Sequence, residues 1–316
     1  MISIVLPIRN EFPQATWSVY SLVNDVEKYD DFEVILVENA CDEENLKWLD
    51  WFGKGSLARK GFLKVLHSEP GVWPALRTGF DAAQGDILVW GCSHIAVSSG
   101  SIPAMADLLR KEGGICHSPM LWMGDYTAKR NDFKAKLYSY KHPINRGWSW
   151  SKPWTDRPFT VHSMGGGFSA AVREEHVEFG GLLEPHMKIL GGGETYMDLK
   201  WWLLGSKVWV HPDALYYHWA YKRNWRSDET AQKMISEGGG TNNWAMWNNL
   251  ITMYCLGGDE WVQKTQGAKL DKYPLWQGYY EEIKVLCKPS RDYIVKHQVY
   301  DGLGDLLERK PWDWPK

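Results

Sequence analysis

Three short polar stretches each follow a run of apolar residues: Arg9-Asn10-Glu11 after ISIVLPI, Glu38-Asn39 after FEVILV, and Cys92-Ser93-His94 after DILVWG. Their side chains can do distinct chemistry. The Arg9 guanidinium matches the oxygens of a phosphate. Glu11 and Glu38 can accept hydrogen bonds from a ring N–H or a hydroxyl. The His94 imidazole can ligate a metal ion, and a thiolate at Cys92 would favour softer ions such as zinc. Further along, Gly191-Gly192-Gly193 precedes Glu194. Glycines permit the close backbone approach that a substrate-facing loop needs, and a carboxylate there could take a proton from a reacting hydroxyl. Each residue also has a plainer reading. His94 can be a hydrogen-bonded loop histidine, Cys92 a small buried filler and Arg9 surface charge. Glu38 and Glu11 can be turn-forming acids, and Glu194 an acid favoured by a helix dipole. The Gly165-Gly166-Gly167 run is not followed by Lys-Ser/Thr, so packing explains it better than a phosphate loop does.

The elements that would position these residues follow from periodicity. Ile2–Ile8, Phe32–Val37, Phe62–Leu66 and Asp86–Trp90 read as buried strands, and Gln14–Tyr29, Trp73–Ala83 and Ile102–Lys111 as helices. A further strand is expected near Ile115–Leu121, and another from Ser163 to Ala171. A Trp-rich helix around Asp198–Leu204 and a strand over Lys207–His211 follow, and after Asn224 the chain turns helical, with helices over Ala245–Leu256 and Tyr279–Leu286. Strands alternating with helices imply a mostly parallel sheet with helices on its faces. Ligands of such sheets bind beyond the carboxyl ends of the strands, where Arg9, Glu11, Glu38, Asn39, Cys92 and His94 converge. Between Met123 and His162 the pattern gives way to a polar, aromatic stretch, read as a functional loop or lid.

The chain has 316 residues and a formal net charge of −3, which gives no electrostatic case for a polyanionic partner beyond a local basic groove. No run of ~20 apolar residues exists and the apolar start is too short for a signal peptide, so no transmembrane segment is expected. Five widely spaced cysteines without a CxxC pair fit reduced thiols, and hence a cytoplasmic location, better than a disulfide framework. The 20 tryptophans either fill a core or serve as flat apolar faces of the kind carbohydrate clefts use.

The order of five segments resembles the GT-A glycosyltransferases, specifically the large family 2 and its relatives the polypeptide GalNAc-transferases. The segments are ISIVLPIRNE, FEVILVEN, GVWPALRTGFDAAQGDILVWGCSH, GGGFSAAVREEHVEFGGLLEPH and GGGETYMDLKWWLLGSKVWVHPDALYYHWAYKR, together covering roughly residues 2–223. The resemblance implies an α/β GT-A fold, a Rossmann-like mixed sheet flanked by helices, over residues 1–223. Residues 224–316 would form a helical C-terminal extension. It further implies a nucleotide-sugar donor site. Pro7, Arg9, Glu11, Glu38, Arg77, Ser93, Lys222 and Arg223 would contact the donor. Either His94 and His218 would hold Mn²⁺ or another divalent cation, or the site is metal-free and Arg9, Arg77, Lys222 and Arg223 would hold the diphosphate. Cys92 stands where the family has a carboxylate, and Arg77 lies one place beyond the family's helix arginine, whose position is Leu76. Glu194 would be the catalytic acid of the loop before the Trp-rich helix, either deprotonating the acceptor or orienting a sugar.

A glycosyltransferase is therefore expected, moving a hexose-type sugar from a UDP or similar donor to a hydroxyl of a glycan, a protein or a hydroxymethylated DNA base. The basic aromatic stretch Lys129–Trp154 keeps the DNA option open. The rival is a non-catalytic sugar-nucleotide or glycan-binding protein that kept the fold without the metal carboxylate.

Overall fold

A computed structural model describes residues 1–123, 138–140, 148–150, 157–164, 167–189, 191–219 and 241–308. The Met123–His162 stretch lies largely outside these residues. So do Lys222, Arg223, Gly165, Gly166 and the chain from 309 onward.

The chain opens with β1 (Ile2–Ile8), α1 (Gln14–Val26), β2 (Phe32–Glu38), α2 (Glu43–Gly53), α3 (Ser56–Arg59), β3 (Leu63–His67), α4 (Val72–Ala82) and β4 (Ile87–Gly91). Next come β5 (Ile95–Val97), α5 (Ser101–Glu112), β6 (Ile115–His117), β7 (Met120–Met123), β8 (Tyr138–Tyr140), β9 (Trp148–Trp150), β10 (Phe159–Thr160) and β11 (Phe168–Val172). The remainder is α6 (Arg173–Glu178), α7 (Gly193–Leu203), β12 (Val208–Val210), β13 (Tyr216–Trp219), α8 (Thr241–Lys272, broken at Gly258), α9 (Pro274–Leu286), α10 (Lys288–His297) and α11 (Gly302–Glu308).

Eight strands form the main sheet in the order β10-β12-β6-β11-β4-β1-β2-β3. The half containing β4, β1, β2 and β3 is parallel, while β11 runs antiparallel between β4 and β6. β1 and β2 are buried at every position, as strands covered on both faces must be. Alternate residues feed two cores. Val5, Ile35, Val37, Leu88 and Trp90 face α4, α7 and the C-terminal helices, whereas Ile4, Leu6, Ile8, Leu36 and Val89 face α1 and α5. α4 lies close on the sheet because Gly79 has no side chain. A Cβ there would meet Val5 Cγ1 at 2.2 Å.

The single strand expected near Ile115–Leu121 is two strands in different sheets. β6 ends at His117, and β7 resumes after Ser118-Pro119 in a small sheet ordered β5-β13-β7. Proline has no N–H to give a ladder, so the chain leaves the main sheet there. The helix expected from Asp198 begins five residues earlier, at Gly193, so Glu194 stands in its first turn.

Candidate active site

The small sheet builds the site. β5 follows His94 directly and pairs antiparallel with β13, with His218 opposite Ile95. The next step of that register sets Trp219 against His94, whose carbonyl accepts from the Trp219 N–H at 3.0 Å. Residues 124 apart are thereby brought together: His94 Nε2 and His218 Nε2 face each other at 3.2 Å. His94 Nδ1 lies 2.9 Å from Glu11 Oε1, at the turn that follows β1. The two are at ion-pair distance, which sets the Glu11 carboxylate against the His94 ring. Burial, with His94 adding to it, lowers the His218 pKa to about 4, so the imidazole is neutral at pH 7.

Cys92 Sγ lies within 4.8 Å of the ligating nitrogens of both histidines. The Cys92 N–H donates to Gly167 O at 2.8 Å, and the Gly167 N–H donates to the Tyr216 hydroxyl at 2.8 Å. A Cβ on Gly167 would sit 3.1 Å from both Cys92 Sγ and Tyr216 Oη, so a bare backbone is what lets these groups close up. Burial pushes the Cys92 thiol up to about 12, and the charges of Glu11 and Glu194 add to it. Both carboxylates are therefore within electrostatic reach of one sulfur.

The glycine loop that leads into Glu194 is held from two directions. The Trp73 indole N–H, at the start of α4, donates to Gly191 O at 3.2 Å. From α8, Asn248 Nδ2 donates to Lys188 O at 2.6 Å and to Gly191 O at 2.9 Å, while Asn248 Oδ1 accepts from the Lys188 N–H at 2.9 Å. Gly191 and Gly192 have φ of 91° and 76°, the left-handed region where glycine is at home. A Cβ on Gly193 would fall 2.6 Å from the Trp73 ring, so α7 starts in contact with the indole. Burial raises the Glu194 pKa above its ordinary value, with Asp198 adding to the effect and the residue's own backbone N–H and His117 opposing it.

Other anticipated residues divide. Pro7 is buried within β1, pairs with Val37 and precedes Arg9 at the carboxyl end. The Ser93 side chain is buried beside His94, and Ser93 O accepts from Ser18 Oγ at 2.9 Å. Glu38 ends β2 at that edge, and its carboxylate already accepts from the Cys41 N–H at 2.6 Å and faces His67 Nδ1 at 3.0 Å. Arg77 is elsewhere. Its guanidinium donates to Pro185 O, and it lines a groove with Asp81, His176 and Gly181 on the α4 face. Asp198, on α7, is fully buried. It meets His117 Nε2 at 2.8 Å and accepts from Ser163 Oγ and the Met164 N–H at 2.8 Å each. Trp73, Asn248 and His117 were not anticipated. Asn248 and Thr252 lie four apart on one face of α8 and both reach the glycine loop, a spacing that was available as a signal.

Two imidazole nitrogens and a sulfur that converge are a fit for one divalent cation of borderline softness. No carboxylate belongs to that group among the described residues, which makes it softer than an oxygen-rich manganese site.

Residues 3–161 match the family described as Glycosyl transferase family 2. The chain is 25% identical over 220 residues to Polypeptide N-acetylgalactosaminyltransferase 10 of Rattus norvegicus, across 65% of this chain and 35% of that protein. It is 29% identical over 134 residues to Glycosyltransferase AglD of Haloferax volcanii, across 41% of this chain and 21% of that one. It thus spans about a third of the length of the GalNAc-transferases it matches. Among solved structures, GalNAc-T7 with UDP, GalNAc and Mn²⁺ superposes with a TM-score of 0.68 at 17% identity, over 94% of this chain and 56% of that one. TarS of S. aureus, residues 1–349, gives 0.50 at 12% identity over 94% and 87%. The fold is that of the GT-A enzymes, with C-terminal helices added.

Proposed function

The chain belongs to glycosyl transferase family 2, and from that premise we propose that it transfers a sugar from a nucleoside-diphosphate donor, UDP-linked, to an acceptor hydroxyl at the site of Glu11, His94, His218 and Glu194. The observation that carries the reading is the pairing of β5 with β13, which holds His94 and His218 3.2 Å apart beyond the carboxyl ends of the parallel strands. Ligands of open α/β sheets bind in that position.

Transfer requires the departing diphosphate to be neutralised and the acceptor hydroxyl to lose its proton. His94 and His218 would hold a divalent cation, with Cys92 beside them. The ion's contribution is charge stabilisation on the leaving diphosphate. Glu11, at ion-pair distance from His94 Nδ1, would orient that ring as a metal ligand. Arg9, next to β1, supplies a guanidinium for phosphate or ribose. Glu38, at the end of β2, meets the nucleoside through its carboxylate edge beside His67. Glu194 takes the acceptor proton. A carboxyl with a raised pKa is the better base at neutral pH, because its basicity lies nearer that of the group it deprotonates. Lys222 and Arg223 add positive charge toward the diphosphate in this proposal.

The donor question is tested by following UDP release from a panel of UDP-sugars, with a divalent ion and with EDTA. Release above the uncatalysed rate supports transfer or donor hydrolysis. Binding without release favours a sugar-nucleotide-binding protein. Glycan, peptide and hydroxymethylated DNA acceptors are then compared, and a steep salt dependence marks the DNA case.

A further inference from the structure

A second group of metal-ligating side chains lies away from the strand ends, in the seam between α7 and the C-terminal helices. Glu184 (in the segment after α6), Cys255 (on α8) and Cys287 (at the junction of α9 and α10) place a carboxylate oxygen and two sulfurs within 4.8 Å of one another. The three residues are 1%, 0% and 0% exposed. A buried carboxylate is costly unless its oxygens find partners. Among the described residues, however, Glu184 Oε2 has no hydrogen-bond partner. Tyr196 Oη, on α7, is also buried without one. Burial raises its pKa, and the charges of Cys255, Glu184 and Cys287 add to the effect. Lys200, one turn further along α7, is 3% exposed and donates to Gly181 O at 2.7 Å.

We propose that Glu184, Cys255 and Cys287 form a structural zinc site that fastens the C-terminal helices to the segment after α6. Two thiolates and one carboxylate are a zinc donor set, and Zn–S of ~2.3 Å with Zn–O of ~2.0–2.2 Å at tetrahedral angles separates donor atoms by under 4 Å. That fits inside the 4.8 Å within which these atoms lie. As the ion binds, each thiol releases its proton to solvent. Two thiolates, a carboxylate and a dication sum to one negative charge, which the Lys200 ammonium offsets. A disulfide between the two cysteines is the competing use of the same sulfurs, but it would leave Glu184 Oε2 without a partner. An ion engages all three groups. The site is separate from the sugar-transfer reading and does not rest on it.

The test is the metal content of the full chain, purified without a histidine tag from zinc-containing medium and dialysed against a weak chelator. The expected result is about one zinc per chain, kept in a His94→Ala/His218→Ala variant and reduced at least about ten-fold in Cys255→Ser and in Cys287→Ser. Cobalt exchanged into the wild-type chain should give an intense near-ultraviolet thiolate-to-metal band that persists in Cys92→Ser, and this reading needs no variant of the buried cysteines to fold. A wild-type chain holding less than about a tenth of an equivalent of zinc with both thiols reduced would overturn the proposal. So would an intact mass lighter by two hydrogens, which would mark a disulfide.

Discussion

Two side chains with opposite demands, Glu11 and His94, show how single residues set the chemistry at the strand ends. Replacing His94 or His218 by Ala should lower transfer by about 10²–10³-fold, because in the proposed reaction leaving-group stabilisation would depend on them directly. Glu11→Gln should cost about 10–100-fold, since it acts through the His94 ring. Glu194→Gln should cost about 10²–10⁴-fold in turnover with donor binding unchanged, as expected for a proton acceptor. A stability prediction belongs to His176, whose Nδ1 accepts from the Leu182 N–H at 3.0 Å and whose pKa burial lowers to about 4. The unfolded chain binds a proton near pH 6.5, which the folded chain refuses down to about 4, so stability is intact above 6.5 and falls as pH drops through this window. Between pH 7 and pH 5 the loss should be about 2 kcal/mol. Denaturant unfolding should show that difference shrink in His176→Asn, whose amide oxygen can still accept from Leu182.

At the scale of elements, the parallel strands and their helices were legible because each carries an unambiguous period. β1 reads Ile2–Ile8 in both the sequence and the structure. The small sheet was not legible. β5 and β13 are three and four residues long, too short to show a period, and only their pairing brings His94 to His218. The clamp on the loop before Glu194 was equally hidden, because Trp73, Asn248 and the glycine loop are joined by contacts across 57 to 118 residues. Arg77 is placed apart from the strand ends. It sits one place past a family arginine in sequence, and on a helix one residue is a turn of about 100°, which carries its guanidinium to Pro185. Two substitutions test the clamp. Gly193→Ala must push Trp73 aside, and should cost about 1–3 kcal/mol in stability with a drop in turnover. Asn248→Ala leaves Lys188 N–H and the Lys188 and Gly191 carbonyls without that partner, and should cost about 2 kcal/mol by thermal or denaturant unfolding.

At the scale of the molecule, one apolar cluster runs from the sheet through α4 and α7 into the C-terminal helices, joining Val5, Trp73, Trp201, Met246, Leu250 and Ile294. The division at residue 223, drawn where the strand pattern stops, is therefore proposed as a change of architecture within one cooperative unit. A chain ending at 223 should expose the face of α7 that bears Tyr196 and Trp201, and should aggregate or lose cooperative unfolding. No helix among the described residues is long and apolar enough to cross a membrane. The most direct test of the whole account is calorimetric titration of UDP into the wild-type chain and into the His94→Ala/His218→Ala variant, with a divalent ion present. The account predicts binding to the wild type that weakens at least about ten-fold in the variant, a difference of about 1.4 kcal/mol or more, without a change in melting temperature large enough to signal misfolding. Equal affinity in the two proteins would contradict it, because the diphosphate would then be held somewhere other than the ends of β1, β4 and β13.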